Sequence, residues 1–164
     1  MRTELADRCA SLVRVSQSVQ AAELDAPIAA ALRPFAELRV VYLFGSQLGD
    51  RARPDSDLDL ALSFDRSIDA TRRAELMLDL VVALTRALGP LGERADLLDL
   101  DRSSSTVGFR AIREGRCVFA REPAARIRLE ATLARRYDDE RTYRELFRKA
   151  ARAASERMRG AGRG

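Results

Sequence analysis

The chain contains no histidine and no tryptophan, a single lysine (Lys149), and two cysteines, Cys9 and Cys117, far apart in the sequence. Each shortage closes a branch of chemistry. Without histidine no Ser-His-Asp or Cys-His nucleophile system can be built, and zinc sites that need an imidazole are excluded. Two isolated cysteines make neither a zinc cluster nor a disulfide framework; they fit a reducing compartment and read as buried thiols. Lys149 lies in an arginine-rich stretch with no Gly-x-x-x-x-Gly before it, so the phosphate-cradling P-loop is missing. Long apolar runs are missing too. The first residues, MRTELADRCASLVRV, are charged throughout, and no segment reaches the roughly 20 apolar residues needed to span a bilayer. The expectation is a cytoplasmic protein without a membrane partner, whose carboxylates must carry the chemistry if it is an enzyme.

What is present suits a single domain over residues 1–164, with 46% hydrophobic and 33% charged residues. The net charge of +4 is unevenly placed: from Arg121 onward there are 13 basic and 7 acidic residues, against 16 and 18 before it. The tail interleaves Arg with Glu and Asp at helical spacing, the pattern of a solvated, ion-paired face. It is assigned to partner contact or solvation, and direct nucleic-acid binding is not expected.

Hydrophobic periodicity divides the chain. Leu5, Cys9, Leu12, Val13 and Val19 predict an amphipathic helix over Thr3–Leu24, and Pro27 suits the first turn of a second, short helix ending near Leu32. RVVYLFGS reads as a buried strand entering a turn at Gly45, and DLDLALSF, with strict alternation, as a second strand with Asp57, Asp59 and Ala61 on one face. Between them, GSQLGDRARPDS predicts a short helix plus loop. Ala74, Met77, Leu78, Val81, Leu84 and Leu88 form the stripe of a helix over Thr71–Leu88, closed by Gly89-Pro90. RADLLDLD predicts a third strand, Ser104–Arg113 a short helix or loop, and GRCVFA a fourth strand. From Pro123 the chain reads as helix to near residue 158, with Tyr143, Leu146, Phe147, Ala150, Ala154 and Met158 as its core stripe. The predicted class is α/β (α+β), a core of about 36–120 followed by a helical tail of about 123–158.

One constellation carries chemistry. Strand one ends in Gly45-Ser46, Asp57-x-Asp59 opens strand two, and strand three presents Asp96 near its start. Carboxylates at i and i+2 on a strand share a face about 6–7 Å apart, so their tips can converge on a hard cation. A Gly-Ser turn after a buried strand lets a phosphate approach the backbone, where amides and a hydroxyl hold its oxygens. Asp99 and Asp101 compete with Asp96 as third carboxylate but fall on the opposite face of a regular strand. Asp55 and Ser56 shape the loop, with Ser56 within reach of phosphate.

These residues resemble a known family. VVYLFGSQLGDRARPDSDLDLAL is similar to the Gly-Ser-x10-Asp-x-Asp signature of polymerase-β-type nucleotidyltransferases, and RADLLDL to the strand that supplies their third carboxylate. The resemblance implies the nucleotidyltransferase fold, a small mixed sheet flanked by helices. It implies that Gly45 and Ser46 hold the triphosphate of ATP and that Asp57 and Asp59 ligate two Mg²⁺ ions. Asp96 would ligate one of them and help deprotonate the attacking hydroxyl. Many relatives carry Ala-Arg-Gly after Gly-Ser-x where this chain has Leu48-Gly49-Asp50, so the role of that arginine either passes to Arg51 or is lost.

The length and the tail, over about Val40 to Phe147, are similar to the minimal nucleotidyltransferase (MNT) antitoxins encoded beside HEPN toxins. That likeness implies transfer of AMP to tyrosine hydroxyls of a HEPN ribonuclease toxin, which neutralises it. The rivals are an aminoglycoside-type small-molecule nucleotidyltransferase, for which no appended substrate domain is visible, and a non-catalytic antitoxin that acts by occlusion through its C-terminal helix. Ser103 to Ser105 read as a turn or helix cap, and Tyr137 and Tyr143 as members of the helical core.

Overall fold

The computed structural model describes residues 23–48 and 56–161. Helix α1 spans 23–32, strand β1 Leu38–Phe44, and a 3-10 turn Gly45–Leu48. Strand β2 (Leu58–Phe64), helix α2 (Ala70–Leu88), the single-turn helix α3 (Pro90–Glu93) and strand β3 (Ala95–Asp99) follow. Helix α4 (Ser105–Glu114), strand β4 (Arg116–Ala120) and helix α5 (Pro123–Ala161) complete the described chain. The strands form one sheet in the order β3-β2-β1-β4, antiparallel except for the parallel pair β2 and β3. The mixed α/β architecture with flanking helices is the one predicted.

The alternation of β2 divides the core. Leu58, Leu60, Leu62 and Phe64 face one side, where Ile28 and Leu32 of α1 and Leu76, Leu80 and Leu84 of α2 cover them. Ala61 faces the other with Val40 and Tyr42, beneath Ala111 of α4 and Leu133 of α5. In β1 the register slips between Leu38 and Val40, and this bulge turns Leu38 onto the face of Val41 and Leu43 despite the odd spacing. Helix ends follow local chemistry. Asp69 accepts a hydrogen bond from the Arg72 backbone N–H at the start of α2, and Ser104 does the same for Val107 at α4. At the end of α2, Gly89 takes φ +59° and its N–H returns to the Thr85 carbonyl, after which Pro90 opens α3.

Several expectations are corrected. The helix predicted over Thr3–Leu24 lies almost wholly outside the described residues, and Pro27 does not open α1, which already runs at residue 23. The stripe of α2 is phased differently: Arg73, Leu76, Leu80 and Leu84 are buried, while Leu78 is 71% exposed. ELMLDLVVAL offers apolar residues on more than one face, and α2 rotates to the phase that also buries Arg73 against acidic partners. The stripe predicted as the core of the tail is not buried where it is described: Tyr143, Leu146 and Phe147 are 71%, 60% and 65% exposed, and the side chains of Ala154 and Met158 lie outside the described residues. Length explains it. At 1.5 Å per residue the 39 residues of α5 reach about 58 Å, whereas a seven-residue strand spans about 23 Å. The last side chain of α5 to stack on the body is Tyr137, whose ring lies 4.6 Å from that of Phe109, and the side chains described from Asp138 to Arg152 are all exposed.

Candidate active site

The antiparallel pairing of β1 with β2 sets Phe44 opposite Asp59, so the residue that follows β1 arrives beside the Asp59 carboxylate. That residue is Gly45, at φ +76°, a left-handed conformation that side-chain-bearing residues adopt at a cost. Space is equally restrictive: a Cβ on Gly45 would lie 1.9 Å from Asp59 Oδ2 and 2.7 Å from its Cγ. The Asp59 carboxylate therefore occupies the volume a side chain at 45 would need, and the glycine of the Gly-Ser turn and the second aspartate of Asp-x-Asp are one geometric unit. Ser46 follows in the 3-10 turn that continues from Gly45.

The parallel pairing of β2 with β3 adds the third strand. Asp59 is in register with Asp96, and Leu58 with Ala95; neighbouring strands lie about 4.8 Å apart, so the two aspartates stand side by side on one face. The Leu58 N–H donates to the Arg94 carbonyl at 3.0 Å, tying the entry of β2 to that of β3. Asp57, one residue before β2, and Asp96 are exposed, and Asp59 is half-buried. Gly45, Asp57, Asp59 and Asp96 thus gather at one end of the sheet, where β1 leaves and β2 and β3 begin. Ser56 lies at the same end, half-buried. Arg51, Asp55 and the Gly49-Asp50 part of the altered turn lie outside the described residues.

This end has the chemistry for a divalent cation. Its donors are carboxylate oxygens, the choice of a hard ion, and the cradle a Cβ would fill holds one of them against the turn. Among the described residues no three acidic, Cys or His side chains are drawn close enough to form a metal cage by themselves. Mg²⁺ needs no all-protein cage, since it keeps waters and takes substrate phosphate oxygens.

Asp99 and Asp101 have other work at the far end of β3. Arg73 Nη1 contacts Asp99 Oδ2 and Asp101 Oδ2, each at 3.2 Å, with its guanidinium 5.1 Å from the centre of the Phe64 ring. Asp101 also accepts the Phe64 N–H at 3.0 Å. Helical periodicity marked the face of α2 as apolar and so passed over Arg73. A second pair of elements is joined by Tyr42, which is 1% exposed and donates its hydroxyl to Glu130 of α5; Arg126 Nε donates to the same carboxylate at 2.8 Å. Burial, then donation to Glu130, pushes the Tyr42 phenol up. The bonds from Tyr42 and Arg126 hold Glu130 below the usual carboxylate range. Cys117 is a free, half-buried thiol, pushed up by burial. Tyr137 packs on the body as predicted, and Tyr143 does not.

Comparison with known proteins bears on the family and the fold. The family model "Polymerase beta, Nucleotidyltransferase" matches residues 27–124. Among solved structures, a toxin–antitoxin with AMP-PNP is similar at TM-score 0.59 and 22% identity, covering 77% of this chain and 97% of that one. The toxin–antitoxin MntA–HepT gives 0.53 and 21%, covering 77% and 95%. A tri-AMPylated Shewanella oneidensis HEPN toxin in complex with MNT antitoxin gives 0.53 and 20%, covering 82% and 98%. No curated protein matches by sequence. At these identities the likeness is one of fold.

Proposed function

The chain belongs to the polymerase beta nucleotidyltransferase family, and on that premise we propose that it is a Mg²⁺-dependent adenylyltransferase. In this reading it moves AMP from ATP to tyrosine hydroxyls of a HEPN-type toxin and so acts as the antitoxin, in the cytoplasm beside its partner. The observation that carries it is the joint placement of Gly45, Asp59 and Asp96 at one sheet end. The similar structures, which pair MNT antitoxins with HEPN toxins and include an AMPylated one, support the acceptor.

In the transfer, a bond forms between the acceptor oxygen and the α-phosphorus of ATP, the bond from that phosphorus to the bridging oxygen breaks, and pyrophosphate leaves. Asp57 and Asp59 would hold the metal ions, and Asp96 would hold one of them while helping to take the proton of the hydroxyl. Gly45 and Ser46 bring backbone amides to the triphosphate, with Ser56 and Arg51 as further phosphate contacts. Bound Mg²⁺ would supply charge stabilisation for the attacking and leaving oxygens. Three carboxylates without histidine are enough for this chemistry.

Incubation with ATP labelled at the α-phosphate, Mg²⁺ and the product of the neighbouring gene tests the reading. Label on a partner tyrosine, lost in Asp57→Ala and Asp59→Ala, is the expected result. Neutralisation of the partner without label, unchanged in both variants, would sink the catalytic reading in favour of occlusion. Label appearing only on an added aminoglycoside would sink the protein acceptor.

A further inference from the structure

At the opposite end of β2 from the candidate active site lies a groove of about 780 Å³ between β2, the turn after it and the first half of α5. Its volume is within the usual range for small-molecule sites. Arg39, Arg66, Arg73, Arg128 and Arg136 line it, against two acidic lining residues, Asp65 and Asp101. The five cations are not equivalent. Arg39 is bound to Asp65, with Nε at 3.0 Å, and Arg73 is held by Asp99 and Asp101. These two are compensated and fixed. Among the described residues Arg128 reaches only Glu122, at 3.9 Å. Arg66 and Arg136 are exposed and form no ion pair among the described residues. Three guanidiniums with weak or no compensation thus border one concavity, whose positive field favours an anion.

We propose that this groove is a second ligand site, for the polyphosphate chain of a nucleotide-sized molecule, separate from the site of nucleotidyl transfer. Guanidinium forks match phosphate oxygens two at a time, and several of them around one hollow suit a multiply charged anion better than a single carboxylate. Leu129 and Leu133 provide an apolar floor. The groove lacks what a single-stranded nucleic acid would use: its one aromatic lining residue, Phe64, is 2% exposed and lies beneath the Arg73 guanidinium, so no platform for base stacking is open. From Asp59 to Phe64 along β2 is about 17 Å at 3.3 Å per residue, too far for one triphosphate to span both sites.

The test uses the full chain with inorganic tripolyphosphate as probe and EDTA present, measured by titration calorimetry. Without divalent cation Asp57, Asp59 and Asp96 repel the probe, so binding reports the groove. Saturable one-to-one binding is expected, weakened at least tenfold by Arg66→Ala, Arg128→Ala and Arg136→Ala together. The variant Arg148→Ala, Lys149→Ala and Arg152→Ala, with the same loss of charge on the projecting part of α5, should bind as the parent does. Circular dichroism checks that both triple variants, which change exposed side chains, are folded. Absence of saturable binding, equal weakening in the two triple variants, or an RNA oligonucleotide that binds the groove and is not displaced by tripolyphosphate would each overturn the proposal. Loss of AMP transfer in the labelling experiment has no bearing on this binding, so the two readings fail separately.

Discussion

Gly45 has two separate reasons to be glycine: its φ of +76° and the Asp59 oxygen in the place of its missing Cβ. Gly45→Ala should cost about 1–2 kcal/mol for the left-handed backbone. It should also displace the Asp59 carboxylate, lowering kcat at least tenfold, or ~1.4 kcal/mol of barrier. Thermal melting and steady-state transfer rates measured on the same preparation separate the two effects. A variant that melts lower but transfers at the parental rate would show that Asp59 is not held by this contact. The third carboxylate is tested by a pair. Asp96→Asn should abolish transfer with little change in melting. Asp99→Asn should keep transfer but destabilise the fold by about 1–3 kcal/mol, because Asp99 is 14% exposed and bound to Arg73. The reverse pattern would move the third metal ligand to the other face of β3.

Among the elements, α5 does two jobs along its length. Its first half closes the sheet face through Leu133, 1% exposed, while farther along Tyr143, Leu146 and Phe147 are uncovered. Leu133→Ala should therefore cost about 2–5 kcal/mol, and Phe147→Ser should change stability by no more than about 0.5 kcal/mol. Denaturant titration distinguishes them, and comparable losses would mean that the stripe at Tyr143, Leu146 and Phe147 packs in the isolated protein after all. The same contrast explains the misphased α2. Periodicity reports that a helix has an apolar side, but a buried ion pair such as Arg73 with Asp99 can set which side turns inward.

For the molecule as a whole, charge links stability to pH. Glu130 is held low by Tyr42 and Arg126, and Glu37 by Arg72. A carboxyl lowered in the folded state binds fewer protons there than in the unfolded chain. Stability is then fully present above the unfolded value near 4.3 and is lost as pH falls through the lower folded value. Urea titrations from pH 7 to pH 3 should show this decline. Glu130→Gln should flatten it, since Gln does not titrate. An unchanged slope in the variant would remove Glu130 from the account. With no histidine in the chain, no side chain of ordinary pKa titrates between pH 5 and 8, and stability should be nearly flat there.

The local code of the chain was enough for much of this. Alternation in DLDLALSF, the β-branched run before Gly45 and the Gly89-Pro90 stop each act over a few residues, and they yield strands, a helix and turns where the structure has them. The fixed spacing from Gly45-Ser46 to Asp57-x-Asp59 marked the family for the same reason, since a turn and a strand entry are short-range features. Pairing across the sheet was decided only in three dimensions. Nothing local aligns Asp59 with Asp96, seats an Asp59 oxygen in the cradle of Gly45, or sends Asp99 and Asp101 to Arg73. Those outcomes depend on strand order and register, which are set by how the two sheet faces bury their leucines together. The fate of Tyr143, Leu146 and Phe147 depended on where the body ends, because amphipathicity tells which side of a helix is apolar and not whether anything lies beneath it.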